Sequence, residues 1–314
     1  MEEKPTTAEP VKGKRRWYQF SLRTLLIFTA LASCGLGWRG FKIQQARRQQ
    51  TAIAAIEKLG GRIQYDYDVD SQGNNVANAV LPGAAWLHAL LGDDFFRTAY
   101  GVDLSDGSGM GWISDDELVH LRTFTELRWL TLVHTQVTDA GLESLEGLTH
   151  LECLSLSITK TTDAGLLHLR RLTHLKRLEL DVTHVTGSGF GYLEDLVQLE
   201  ELSLDRTGLT DEGLKHLQHL RHLTELSLNE TQVTDLGIAY LKELKGLTRL
   251  NLEKTHLTDR GLQHLQGLTD LASLQLGYTQ VTDAGVAKLE KALPNCQIEI
   301  WPRMNTNAGE GGRD

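Results

Sequence analysis

Cysteine is scarce in this 314-residue chain and proline is missing from most of it. The three cysteines, Cys34, Cys153 and Cys296, stand far apart, and no pair has the spacing of a zinc site or a disulfide framework. No proline falls between Pro82 and Pro294, as expected where strands lie inside a parallel sheet and cannot spare an N–H donor. A P-loop is excluded as well. The glycine-rich stretch from Asp103 to Gly111, DLSDGSGMG, has no GKS or GKT ending and reads as a loop.

Charge is divided unevenly along the chain. The total is -9, yet residues 1–60 carry 11 Lys and Arg against 4 acids, while residues 113–300 carry 17 against 28. An acidic body excludes nucleic acid as its ligand, because phosphate binding needs clustered cations.

One phrase of 24 residues recurs eight times from Ile113 onward without insertion or deletion. It is fullest as VTDAGLESLEGLTHLECLSLSITK from Val137, LTDEGLKHLQHLRHLTELSLNETQ from Leu209 and LTDRGLQHLQGLTDLASLQLGYTQ from Leu257. A fixed period of this length marks an array whose units bury their apolar faces only by stacking. Within each unit, L-x-x-L-x-L-x-x-T (Leu151, Leu154, Leu156, Thr159) ends on a period of two. That pattern predicts a strand with leucines inward, and neighbouring turns pairing as a parallel sheet. The following T-D-x-G-L-x-x-L (Thr138, Asp139, Gly141, Leu142, Leu145) supplies a cap, an acid in the first turn and leucines three apart, hence a short helix. Thr135, Thr159, Thr183, Thr207, Thr231, Thr255 and Thr279 share one register. Their hydroxyls are expected to satisfy backbone groups where the strand bends.

These phrases resemble the leucine-rich repeat, in the 24-residue form common in bacterial membrane-anchored proteins and similar to the units that accompany F-box segments. QFSLRTLL, ARRQQ and GGRIQYDYD near the N-terminus resemble the same bacterial group. The resemblance implies an α/β solenoid with a parallel sheet on its concave side and short convex helices. It implies protein recognition and no chemistry of its own. Two departures stand out: Gly187-Ser188-Gly189-Phe190 replaces T-D-x-G-L in the fourth unit, raising the question of a kink, and Pro294 to Trp301 ends the array as a C-terminal cap without its helix.

The expected organisation is a disordered basic arm over 1–23, a transmembrane anchor over 24–43, a helical stalk over 44–60 and an N-terminal cap region over 61–112. The solenoid follows over 113–302, then a disordered tail over 303–314. Thr24 to Trp38 holds fifteen residues without a charge, about 22 Å as a helix against a hydrocarbon core of about 30 Å. Arg23 and Arg39 can snorkel, and Trp17, Tyr18 and Trp38 suit the interfaces. A second reading makes Leu31-Ala32-Ser33-Cys34 a lipobox with Cys34 lipidated; a cleaved signal or a buried helix completes the alternatives. The slight excess of basic residues before the span favours a cytoplasmic N-terminus and an exported body.

The unbroken period identifies the outward strand positions, from Trp129, Thr131 and Val133 to Ser273, Gln275 and Gly277. Partner-binding candidates among them are Trp129, Arg177, Glu179, Asp181, Glu201, Asp205, Glu225, Asn229, Arg249 and Glu253. They form a negative stripe with Arg177 and Arg249 as exceptions, suited to a basic partner or one with paired charges. A solvated spacer or envelope scaffold without a ligand is the alternative. No catalytic residue, cofactor or metal is assigned. Paired acids such as Glu179 and Asp181 would face solvent on an open sheet, nothing orients Cys153 with His150 or His174, and His168, His216 and His264 recur two turns apart, about 10 Å.

Overall fold

The computed structural model describes residues 44–68, 98–105 and 113–300. The arm, the anchor, Cys34 with its alternative lipidation, and the tail lie outside the described residues. Among the described residues, no helix is long and apolar enough to cross a membrane.

The predicted strands form, and they join one sheet. In chain order they are β1 (Arg62–Tyr65), β2 (Ala99–Asp103), β3 (Trp129–Thr131), β4 (Cys153–Ser155), β5 (Arg177–Glu179), β6 (Glu201–Ser203), β7 (Glu225–Ser227), β8 (Arg249–Asn251), β9 (Ser273–Gln275) and β10 (Gln297–Glu299). Spatial order follows chain order. β1 runs antiparallel to β2, and every later pairing is parallel. From β3 to β9 each residue pairs with the one 24 positions on, as Leu154 with Leu178 and Leu178 with Leu202. The sheet register therefore equals the sequence period.

Each turn closes on a dry core of its own leucines. The turn from Leu209 supplies Leu209, Leu214, Leu217, Leu220, Leu223, Leu226 and Leu228, none more than 2% exposed. Truncating one such leucine to alanine costs about 2–5 kcal/mol. The core continues from Ala52 to Leu293. Helix 44–58 was expected to stand free as a stalk, but Ala52 and Ile56 are buried in that core. With β1 and β2, the helix shields apolar residues that the first repeat would otherwise expose.

The threonine column does what its register suggests, within each turn. Thr135, Thr159, Thr183, Thr207, Thr231, Thr255 and Thr279 donate their hydroxyls to the carbonyls three residues earlier at 2.6–2.8 Å. The residue before each threonine has a left-handed backbone, φ 52–62°, and none of the seven is glycine. The N–H groups of the first six, from His134 to Lys254, extend the sheet ladder, as Ile158 to the Asp181 carbonyl at 2.8 Å and Val182 to that of Asp205 at 2.8 Å.

The segment opposite the sheet carries the recurring T-D-x-G. Helices begin at Asp139, Asp211, Asp235, Asp259 and Asp283, while 3₁₀ turns occupy Gly165–Leu169 and Phe190–Leu193. The aspartate does more than favour a helix start: its carboxylate binds the threonine of the next turn. Gly261 is needed because a Cβ there would collide with the Asp235 carboxylate and Leu257. In the fourth unit Gly187 takes a left-handed φ of 96° in place of the aspartate. The sheet register passes through without a shift, so no kink appears in the strands. After helix Asp283–Ala292 the chain passes Pro294 and adds β10 as the last strand.

Candidate functional site

The outward positions make three parallel rows on the sheet face. Trp129, Cys153, Arg177, Glu201, Glu225, Arg249 and Ser273 form the first; Thr131, Ser155, Glu179, Ser203, Ser227, Asn251 and Gln275 the second. Val133, Ser157, Asp181, Asp205, Asn229, Glu253 and Gly277 follow one buried position later. Neighbours within a row stand about 4.8 Å apart.

A depression of about 280 Å³ lies over β5 to β9, walled by Arg177, Glu179, Glu201, Glu225 and Arg249 with Ser203, Ser227, Asn251, Ser273 and Gln275 around them. Five of the sequence-derived candidates meet there. Ser203, Ser227, Asn251, Ser273 and Gln275 had no distinguishing chemistry in the sequence; their register was the available signal. Trp129 lies apart, its indole across Gly101 of β2. Asp181, Asp205, Asn229 and Glu253 lie in the adjoining third row.

Both arginines are engaged by the protein itself. Arg177 grips Glu201 through two nitrogens, at 2.6 Å and 2.8 Å, and Arg249 pairs with Glu225. The row thus reads Arg–Glu–Glu–Arg, two ion pairs back to back with no net charge. The two arginines expected as exceptions on a negative stripe thus each neutralise a glutamate of that stripe. The acidity of the face comes instead from Glu179, Asp181, Asp205 and Glu253, which have no ion pair among the described residues.

Asp181 and Asp205 are bound in a repeating pattern. Asp181 accepts from the Ser203 hydroxyl and from the Asp205 N–H at 2.9 Å; Asp205 accepts from the Ser227 hydroxyl and from the Asn229 N–H at 2.9 Å. Burial pushes the Asp205 carboxyl above its ordinary range, Asp181 adding to the rise while Ser227 and Asn229 oppose it. Burial likewise raises the Cys153 thiol, which keeps it protonated and a poor nucleophile. No group of three or more His, Cys, Asp or Glu among the described residues is placed to hold a metal. His168 and His216 each bond a glutamate of the preceding turn, Glu146 at 2.7 Å and Glu194 at 2.8 Å.

A leucine rich repeat family model matches residues 219–242, one full period that crosses β7. The matched unit is a leucine-rich repeat, and the sheet carries its 24-residue register from β3 to β9 as a leucine-rich repeat solenoid. No curated protein matches its sequence. Among solved structures, an internalin C2 from Listeria monocytogenes is 24% identical, with a TM-score of 0.51, over 79% of this chain and 91% of that one. An internalin (inlF) from the same organism is 24% identical with a TM-score of 0.46, covering 63% of this chain and 57% of that one. A leucine-rich repeat protein from Leptospira interrogans is 19% identical with a TM-score of 0.40, covering 58% and 62%. The leucine-rich repeat protein described here thus spans little more than half of the inlF structure. The internalin C2 likeness is one of fold. The fold class generally provides a scaffold for protein–protein interaction.

Proposed function

We propose that this leucine-rich repeat protein is a membrane-anchored, exported recognition module that binds a protein partner through its sheet face and performs no catalysis of its own. The observation that carries the reading is the depression over β5 to β9, where charged side chains from the four successive turns of β5 to β8 converge. A row that repeats at about 4.8 Å suits an elongated partner better than a small molecule. The uncharged stretch Thr24–Trp38 between Arg23 and Arg39 supports the anchor.

Two measurements test it with the full chain. Swapping the ion pairs, by Arg177→Glu with Glu201→Arg and Glu225→Arg with Arg249→Glu, keeps opposite charges adjacent while reversing the pattern a partner meets. Capture of a stoichiometric partner should be lost; unchanged capture moves the site off this face. Alkaline extraction of membranes should leave the chain in the pellet, and release into the supernatant contradicts the anchor.

A further inference from the structure

The acceptors left over on the sheet face point to the chemistry of the partner. Beyond the two Arg–Glu pairs, the carboxylates of Glu179, Asp181 and Asp205 make no ion pair among the described residues, although the charge of Arg177 reaches Glu179. Beside them, Asn229 Oδ1 is buried and accepts no hydrogen bond, and an amide oxygen can do nothing but accept. Ser155, nine-tenths buried on the same face and in register with Glu179, has a hydroxyl oxygen without a partner. The carboxylates and the Asn229 oxygen only accept, and a positively charged hydrogen-bond donor meets them.

Resting on the reading of the sheet face as the binding surface, we infer that this face takes an extended segment of the partner bearing lysine or arginine side chains, with a cation seated over β5 to β7. Glu179 and Asp205 supply the charge, and Asn229 Oδ1 an additional acceptor. The ammonium or guanidinium replaces water around carboxylates that the fold has already partly desolvated, where charge-assisted hydrogen bonds are short and strong. A neutral or acidic segment leaves Asn229 Oδ1 unmet and the carboxylate charges uncompensated, which gives discrimination against the wrong partner. The upward shift that burial gives the Asp205 carboxyl fits the same picture: its charge is partly desolvated in the free protein and is better served when a cation arrives.

The probe is the peptide acetyl-Arg-Gly-Arg-Gly-Arg-amide, with acetyl-Glu-Gly-Glu-Gly-Glu-amide as its counterpart, titrated calorimetrically into the full chain at low and at physiological salt. Binding is expected for the basic peptide alone. Glu179→Gln with Asp205→Asn should weaken it at least tenfold. Glu143→Gln with Glu290→Gln, away from the sheet face, removes the same charge and should change it less than twofold. Asn at 205 still accepts the Ser227 and Asn229 hydrogen bonds, so this variant should fold, which circular dichroism verifies. Equal weakening by both double variants reduces the effect to long-range attraction and overturns the inference. So does equal binding of the two peptides. If a native partner loses capture on swapping the ion pairs yet is indifferent to Glu179→Gln with Asp205→Asn, the binding face stands and the cation seat falls.

Discussion

Asp235 holds Thr258 of the next turn with both carboxylate oxygens: one accepts the Thr258 N–H at 2.8 Å and the other its hydroxyl at 2.6 Å. Asp115, Asp139, Asp211 and Asp259 hold Thr138, Thr162, Thr234 and Thr282 in the same way. Asp163 binds Thr186 and also the N–H groups of Gly187 and Gly189, each at 3.0 Å. The junction between Gly187 and Thr210 has no such carboxylate, and Thr210 N–H turns to the Thr186 carbonyl at 3.2 Å. Turn-to-turn contacts set the stability of a stacked array, so this junction is the weakest of its kind among the described residues.

Thr234→Val and Thr210→Val make a matched pair for this claim. Removing a hydroxyl bonded to a charged acceptor costs about 1.5–3 kcal/mol. Thr234→Val should lose that much in urea unfolding, and Thr210→Val at least about 1 kcal/mol less. Equal losses would mean that the carboxylates do not tie the turns together.

Two partly buried aspartates, Asp163 and Asp205, respond oppositely to pH. At Asp163, burial alone would raise the carboxyl, but the hydrogen bonds from Thr186 and Gly189 outweigh it and the group lies below its ordinary range. Its contribution to stability is present above the unfolded value of about 3.9 and is lost as pH falls through the native value. Asp205 is raised, so its favourable contribution belongs to low pH and is lost as pH rises through the native value. Asp205→Asn should therefore melt no lower than the parent at pH 7, with any advantage disappearing below about pH 3.9. A clear drop in melting temperature at pH 7 contradicts the burial assigned to this carboxylate.

Val182 and Ile158 carry β-branched side chains at φ 55° and 58° and remain 42% and 44% exposed. The left-handed conformation costs such residues about 1–2 kcal/mol, with little burial to offset it. Val182→Asn should raise stability by about 0.5–1 kcal/mol in thermal or urea unfolding. A loss of stability would show that Val182 makes contacts that outweigh the strain.

Gly261→Ala tests the tightness of the same joint from the other side. The new methyl meets the Asp235 carboxylate and Leu257, so Thr258 loses its partner or the helix start shifts. A loss of about 1–3 kcal/mol is expected from over-packing, whereas Gly147→Ala, with nothing near its Cβ, should change stability little.

Much of this was legible in the chain because its period never slips. Leu154 and Leu156 gave both strand and inward face, and adding 24 to any residue names its sheet neighbour. The pairing of Arg177 with Glu201, and of Glu225 with Arg249, is legible by the same addition, since opposite charges stand one period apart. The grip of Asp235 on Thr258 was harder to see, since T-D-x-G also describes an ordinary helix start and the carboxylate crosses to another turn. Ala46, Ile53 and Ile56 mark a helix over 44–58 by their spacing, but spacing does not name what covers that face, so the entry of Ala52 and Ile56 into the core was not legible. The fourth unit looked like a break, but Asp163 turns to Gly187 and Gly189 and the strands keep their register.

Photo-crosslinking from single positions measures the central claim most directly. A benzophenone amino acid replaces Ser203 or Ser227 on the sheet face, and Glu143 or Glu212 on the opposite side, in the full chain. Irradiation in cells should join one and the same partner to positions 203 and 227 and not to 143 or 212. Adducts from 143 or 212 alone would place recognition on the other side and contradict the account.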